Sequence, residues 1–78
     1  MKCKYDKKSD IIYITLTQQP VAESDEDKPG IIIDYDADGF VVGMEILNAS
    51  KRIPNPNKFE YETSDTWALI NWKLTGLV

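Results

Sequence analysis

The chain has 78 residues, enough for one domain, with a net charge of −4, no histidine and a single cysteine. The missing histidine excludes Ser-His-Asp and Cys-His catalysis and imidazole metal sites, and a lone Cys3 excludes an intrachain disulfide scaffold. A domain this short buries only about 60% of the surface its unfolded chain exposes, so its stability should be marginal.

In chain order, Lys2 to Tyr5 is a short alternating segment with Cys3 and Tyr5 on one face. Asp6-Lys7-Lys8-Ser9-Asp10 is polar and can turn, because Asp and Ser side chains hydrogen-bond to nearby backbone groups. Ile11 to Thr17 consists of β-branched, aromatic and Leu residues, with Ile12, Ile14 and Leu16 on one face. It is the clearest strand and is expected to pair with the first segment as a hairpin.

Gln18 to Pro29 contains Pro20, Pro29 and the acidic run Glu23-Ser24-Asp25-Glu26-Asp27. The prolines break regular ladders, and the acids would repel one another on a packed face. The stretch reads as a solvated loop, with a charged docking loop as the functional alternative.

Ile31 to Tyr35 and Phe40 to Leu47 are the next two strands. Asn48-Ala49-Ser50-Lys51-Arg52 can begin a single helical turn capped by Asn48. The breaker cluster Pro54-Asn55-Pro56-Asn57 marks a boundary. A β-meander domain over residues 1–52 is therefore expected, followed by an extension over residues 53–78. In the extension, Phe59 and Tyr61 alternate with Glu60 and Glu62, which suits an edge strand. Thr66 to Leu74 fits a strand, with Ala68, Ile70, Trp72 and Leu74 at period two, or a short helix with Trp67, Ile70 and Leu74 on one face. Either form is expected to cover the sheet or to meet a second subunit.

Asp34, Asp36, Asp38, Gly39 and Glu45 satisfy the spacing of an EF-hand calcium loop. Such a loop needs a helix on each side. Only Gly30 and three isoleucines separate Pro29 from Asp34, and Phe40 to Ile46 reads as a strand. A hairpin explains the same residues, with a type I turn over Asp36 to Asp38 and Gly39 in the left-handed conformation. Pairing 36 with 40 sets Asp34 opposite Val42, Ile33 opposite Gly43 and Ile32 opposite Met44, and turns Glu45 away from Asp34. Phe40, Val42, Met44, Ile46 and Ile32 would then share a face. At ~3.4 Å per residue Glu45 lies about 17 Å from the turn and cannot close an ion site there.

Charge is uneven along the chain. Residues 31–50 carry four acids and no basic residue. That distribution leaves no electrostatic footprint for phosphate backbones, so direct nucleic-acid binding is not expected, whereas a basic protein partner would be attracted. If the strands form a meander, the turns at Asp6–Ser9 and Asp36–Gly39 fall at one end of the sheet and the acidic run at the other. Cys3 reads as an ordinary strand residue, and a free thiol suits a reducing compartment. The N-terminal residues lack the apolar run of a secretion signal, and no stretch approaches the ~20 apolar residues of a membrane span. A cytoplasmic protein without a membrane partner is expected.

The run Tyr5-Asp6-x-x-Ser9-Asp10-x-x-Tyr13-Ile14-x-Leu16 is followed by Val21-Ala22-Glu23-Ser24 and by Pro29-Gly30-Ile31-Ile32-Ile33-Asp34-Tyr35-Asp36. Asp38-Gly39-x-Val41-Val42-Gly43-Met44-Glu45-Ile46-Leu47 completes the set. Together these resemble the domain-of-unknown-function family 2283 of small prokaryotic proteins, over about residues 2–52. Phe40 stands where such proteins more often carry a charged residue. The resemblance implies no assigned activity and no catalytic, cofactor or metal residue. It implies a tiny intracellular protein, often encoded near small toxin-like proteins, and hence an antitoxin-like or accessory role. The fold expected is mainly β, an antiparallel β-meander of about four strands with a C-terminal strand or short helix packing on it. The function expected is a non-catalytic module for an unidentified protein partner. A calcium-binding protein using the Asp34–Glu45 pattern and a homo-oligomeric structural protein, with a homodimer as its simplest form, are the alternatives.

Overall fold

The computed structural model describes residues 1–64. They form one antiparallel sheet of five strands, β1 (Lys2–Asp6), β2 (Ile11–Thr15), β3 (Glu23–Lys28), β4 (Ile31–Tyr35) and β5 (Val41–Leu47), with one short helix, α1 (Ala49–Arg52). The strand order is β1-β2-β5-β4-β3, so β5 is central and β1 and β3 are the edges. The architecture is mainly β and antiparallel, as the alternating segments imply. The reading of residues 66–74 as strand or helix lies outside the described residues.

The fifth strand is the acidic run, which the sequence suggested was a loop. All six residues of β3 are exposed, and the strand lies at a sheet edge, so its carboxylates stay in water and avoid the repulsion of a packed face. Pairing starts where the Ala22 amide donates to the Tyr35 carbonyl at 2.7 Å. It ends at Lys28 opposite Ile31, with a bulge between Glu26 and Lys28. Pro29-Gly30 is thus not a breaker but a two-residue turn, with Gly30 at φ 83° as the second central position of a type II turn requires.

The β4–β5 turn follows the expected chemistry. The Asp36 carboxylate accepts from the amides of Asp38 and Phe40, each at 2.9 Å, and Gly39 sits at φ 86°. Tyr35 opposes Val41, but the register then shifts, and Asp34 opposes Gly43 rather than Val42. Val42 is the extra residue of a bulge. Its carbonyl accepts from the amides of Leu16 and Thr17 at 2.8 and 3.3 Å, and its side chain is buried.

One inserted residue reverses which side chains meet. Met44 and Ile46 share the apolar face with Ile33 and Ile31, not with Ile32. Ile12, Ile14, Cys3 and Tyr5 extend that face across β2 and β1. On the polar face, Lys4, Tyr13, Glu45, Ile32 and Glu26 form one row across the sheet. Lys2, Thr15, Gly43, Asp34 and Ser24 form the next. Glu45 therefore shares a face with Asp34, contrary to the uninterrupted register.

The two early turns lie at opposite ends of the sheet rather than together, because Ile11 pairs with Leu47 while the Asp36–Gly39 turn opens onto Val41. Asn48 precedes α1 but sits at φ 54° and makes no side-chain cap. Phe59 to Glu62 is not a strand. Ile53, Pro56, Lys58 and Phe59 instead line, with Cys3, Ile12, Ile14 and Ile46, a groove of about 170 Å³ on the apolar face.

Gly39→Val tests the turn. No atom lies within 4 Å of a Cβ at this position, so the cost is conformational. A loss of at least about 1–2 kcal/mol is expected by urea denaturation, the penalty for an L-residue held left-handed. An unchanged midpoint would show that the turn does not need that conformation.

Candidate functional site

Two polar clusters organise the described residues, and neither was assembled from the sequence. The first surrounds Asp10, which ends the β1–β2 turn at φ 59°. Its Oδ1 accepts from the Tyr5 hydroxyl at 2.7 Å and from the Ser50 amide at 2.9 Å, and its Oδ2 accepts from the Ser50 hydroxyl at 2.7 Å. The Asp10 carbonyl also takes the Ala49 amide at 2.9 Å. A residue distant in sequence thus satisfies the N-terminal amides of α1 that Asn48 leaves open. The Ser50 hydroxyl most strongly, then the Tyr5 hydroxyl and the Ser50 amide, hold the Asp10 carboxyl below its ordinary value. The same hydrogen bond, with some burial, holds the Tyr5 hydroxyl above its own.

From α1, Arg52 reaches back to the sheet. Its Nε donates to the Leu47 carbonyl at 3.1 Å and its Nη2 donates to the Pro29 carbonyl. A Cβ on Gly30 would come within 2.5 Å of that Nη2, so glycine serves both the turn and the arginine.

The second cluster lies on the polar face. Asp34 is buried, at 8% exposure, and its Oδ1 accepts from the Ser24 hydroxyl of β3 at 2.6 Å. A Cβ on the opposite Gly43 would stand 3.3 Å from Asp34 Oδ2 and 2.9 Å from the Ile14 carbonyl. Gly43 therefore leaves the space over which the carboxylate leans. Glu45 lies two residues further along β5 on the same face. Burial first, then the Asp34 charge and a hydrogen bond to Asp34, push the Glu45 carboxyl above its ordinary value.

The acids of the calcium-loop spacing are spread along a hairpin rather than around a loop between two helices. The pattern is flanked by strands β4 and β5, not by helices, and the Asp36 carboxylate is occupied by backbone amides of its own turn. Among the described residues no three His, Cys, Asp or Glu side chains are grouped to hold a metal ion. Cys3 is half-buried and lines, with Met1, Phe59 and Tyr61, an open hollow of about 450 Å³. Among the described residues no helix is long and apolar enough to cross a membrane.

Two variants test these clusters. Asp10 has its folded-state value lowered, so its contribution is present above the ordinary aspartate range and lost as pH falls through the lowered value. Ser50→Ala removes the largest cause and should weaken that acid-side dependence in urea melts run across pH. Gly43→Ala should cost about 1–3 kcal/mol through overpacking against Ile14 and Asp34, measured as a lower denaturation midpoint.

No curated protein and no solved structure matches the chain. A family model described as "Protein of unknown function (DUF2283)" matches residues 2–50, from the start of β1 to the first turn of α1. Tyr5, Asp10, Ser24, Gly30, Asp34, Gly39 and Gly43, which make the turns and polar clusters described above, all lie within that span, and Arg52 lies just beyond it. With more than half of its length matched, the chain belongs to this family of proteins of unknown function.

Proposed function

We propose that the chain is a non-catalytic protein-binding module that engages a basic partner along the open edge of β3. The observation that carries this reading is the edge itself. Among the described residues strand β3 is paired only to β4, all its residues are exposed, and four of its six are acidic. An unpaired edge offers backbone donors and acceptors to an extended segment, and the carboxylates select a segment rich in Lys or Arg. Charge of this kind raises encounter rate and rejects acidic competitors more than it adds affinity. The reading places the protein in the cytoplasm, the compartment that a free Cys3 suits. An antitoxin-like or accessory role is its family-level form.

The test is capture from native lysate with the wild-type chain and with Asp25→Lys combined with Asp27→Lys. A stoichiometric basic partner held at low salt, weakened at least about tenfold by the paired reversal and by high salt, is expected. Absence of a stoichiometric partner, or capture indifferent to the reversal, counts against the reading.

A second reading, a homodimer joined through the apolar face, is favoured by one observation. Of the described apolar side chains only Ile12, Val42 and Ala49 are buried, while Ile14, Ile31, Ile33, Met44 and Ile46 remain half-exposed. Light scattering of the purified chain should then give twice the monomer mass, and a monomer at all concentrations removes it.

A further inference from the structure

We propose that Glu45, Asp34 and Ser24 form a proton-dependent clasp. Glu45 keeps its proton and donates a hydrogen bond to the Asp34 carboxylate, which holds the edge strand β3 through Ser24. The inference does not depend on the partner-binding reading. It rests on how the register gathers these groups. Asp34 is buried on β4, its Oδ1 takes the Ser24 hydroxyl at 2.6 Å, and its Oδ2 lies over the gap left by Gly43. The bulge at Val42 brings Glu45 onto the same face, one strand across and two residues along from Gly43.

Two charged carboxylates so placed would repel each other in a site where burial already disfavours charge, whereas one proton turns repulsion into a hydrogen bond. The other titratable and charged groups on this face, among the described residues, are Lys2, Lys4 and Asp6 on β1, Tyr13 on β2 and Glu26 on β3. Tyr13 stands directly opposite Glu45, while Lys4 and Glu26 are each two strands from it. Glu26 is itself an acid, and among the described residues the one ion pair joins Lys58 to Glu60, so Lys4 does not take the place of the proton.

The direction of the pH effect follows. Glu45 is held above its ordinary value, so the clasp is intact within and below the ordinary glutamate range and is lost as pH rises through the raised value. In that interval the folded state carries up to one more proton than the unfolded chain. The folded-to-unfolded ratio then falls by up to about tenfold per pH unit. The chain has no histidine, so no imidazole titrates in the same interval.

The experiment is a side-chain carboxyl NMR titration of the full chain from about pH 4 to pH 8, paired with urea denaturation over the same range. Wild type should show Glu45 titrating above the ordinary glutamate range, with the Asp34 carboxyl signal following it. Stability should fall over that interval. Glu45→Gln donates an amide hydrogen without titrating, so it should abolish this fall, while the net-charge control Glu62→Gln keeps it. An ordinary Glu45 titration without response at Asp34, or a Glu45→Gln stability profile parallel to wild type, overturns the proposal. Should Glu45→Gln fail to fold, the wild-type titration decides alone.

Discussion

The extra residue in β5 is the constraint on which the sheet depends. Strand β5 is hydrogen-bonded on both sides, to β2 and to β4, so its register decides which side chains meet across the described strands. Toward β4, Val42 is skipped between Val41 and Gly43. Toward β2, its carbonyl accepts the amides of Leu16 and Thr17. The bulge is thus bonded on the side away from the skip, and the buried Val42 side chain adds packing that a slipped register would lose.

Both polar clusters depend on this pairing. The skip brings Gly43 under Asp34 and sets Glu45 beside it, while the β2 pairing brings Ile11 to Leu47 and so carries Asp10 to the start of α1. Asp10, Asp34 and Arg52 then act as three non-local ties. One fixes the helix to the first hairpin, one holds β3 against β4, and one joins the helix to the Pro29–Gly30 turn. A sheet with so few fully buried apolar side chains gains proportionately from such ties, and the hydrogen bond to the buried Asp34 contributes about 1.5–3 kcal/mol at its best. Exposed members contribute less.

What was legible in the sequence was local. The Asp36–Gly39 turn follows from Asx chemistry and a left-handed glycine, β1 follows from the alternation of Lys with Cys and Tyr, and β2, β4 and β5 follow from runs rich in β-branched residues. What was not legible is set by partners far along the chain. No local feature of Val41-Val42-Gly43 announces a skipped residue, since either valine suits a strand. The acidic run has the composition of a loop because its carboxylates would repel one another on a packed face, whereas an edge strand keeps every one of them in water. Asn48 had the chemistry of a cap, but Asp10 occupies that role from the opposite turn. The family motif held the clue. Tyr5, Asp10, Ser24 and Asp34 all belong to it, and their polarity within strand-like segments was the available sign of side-chain pairing.

The register of β4 against β5 is the most direct measurement of this account. Cross-strand backbone contacts from NMR on the uniformly labelled chain read it without any substitution. The account predicts Asp34 facing Gly43, Ile33 facing Met44 and Ile32 facing Glu45, with Val42 unpaired toward β4. Contacts placing Asp34 opposite Val42 and Ile32 opposite Met44 would contradict it, and would return Glu45 to the face away from Asp34.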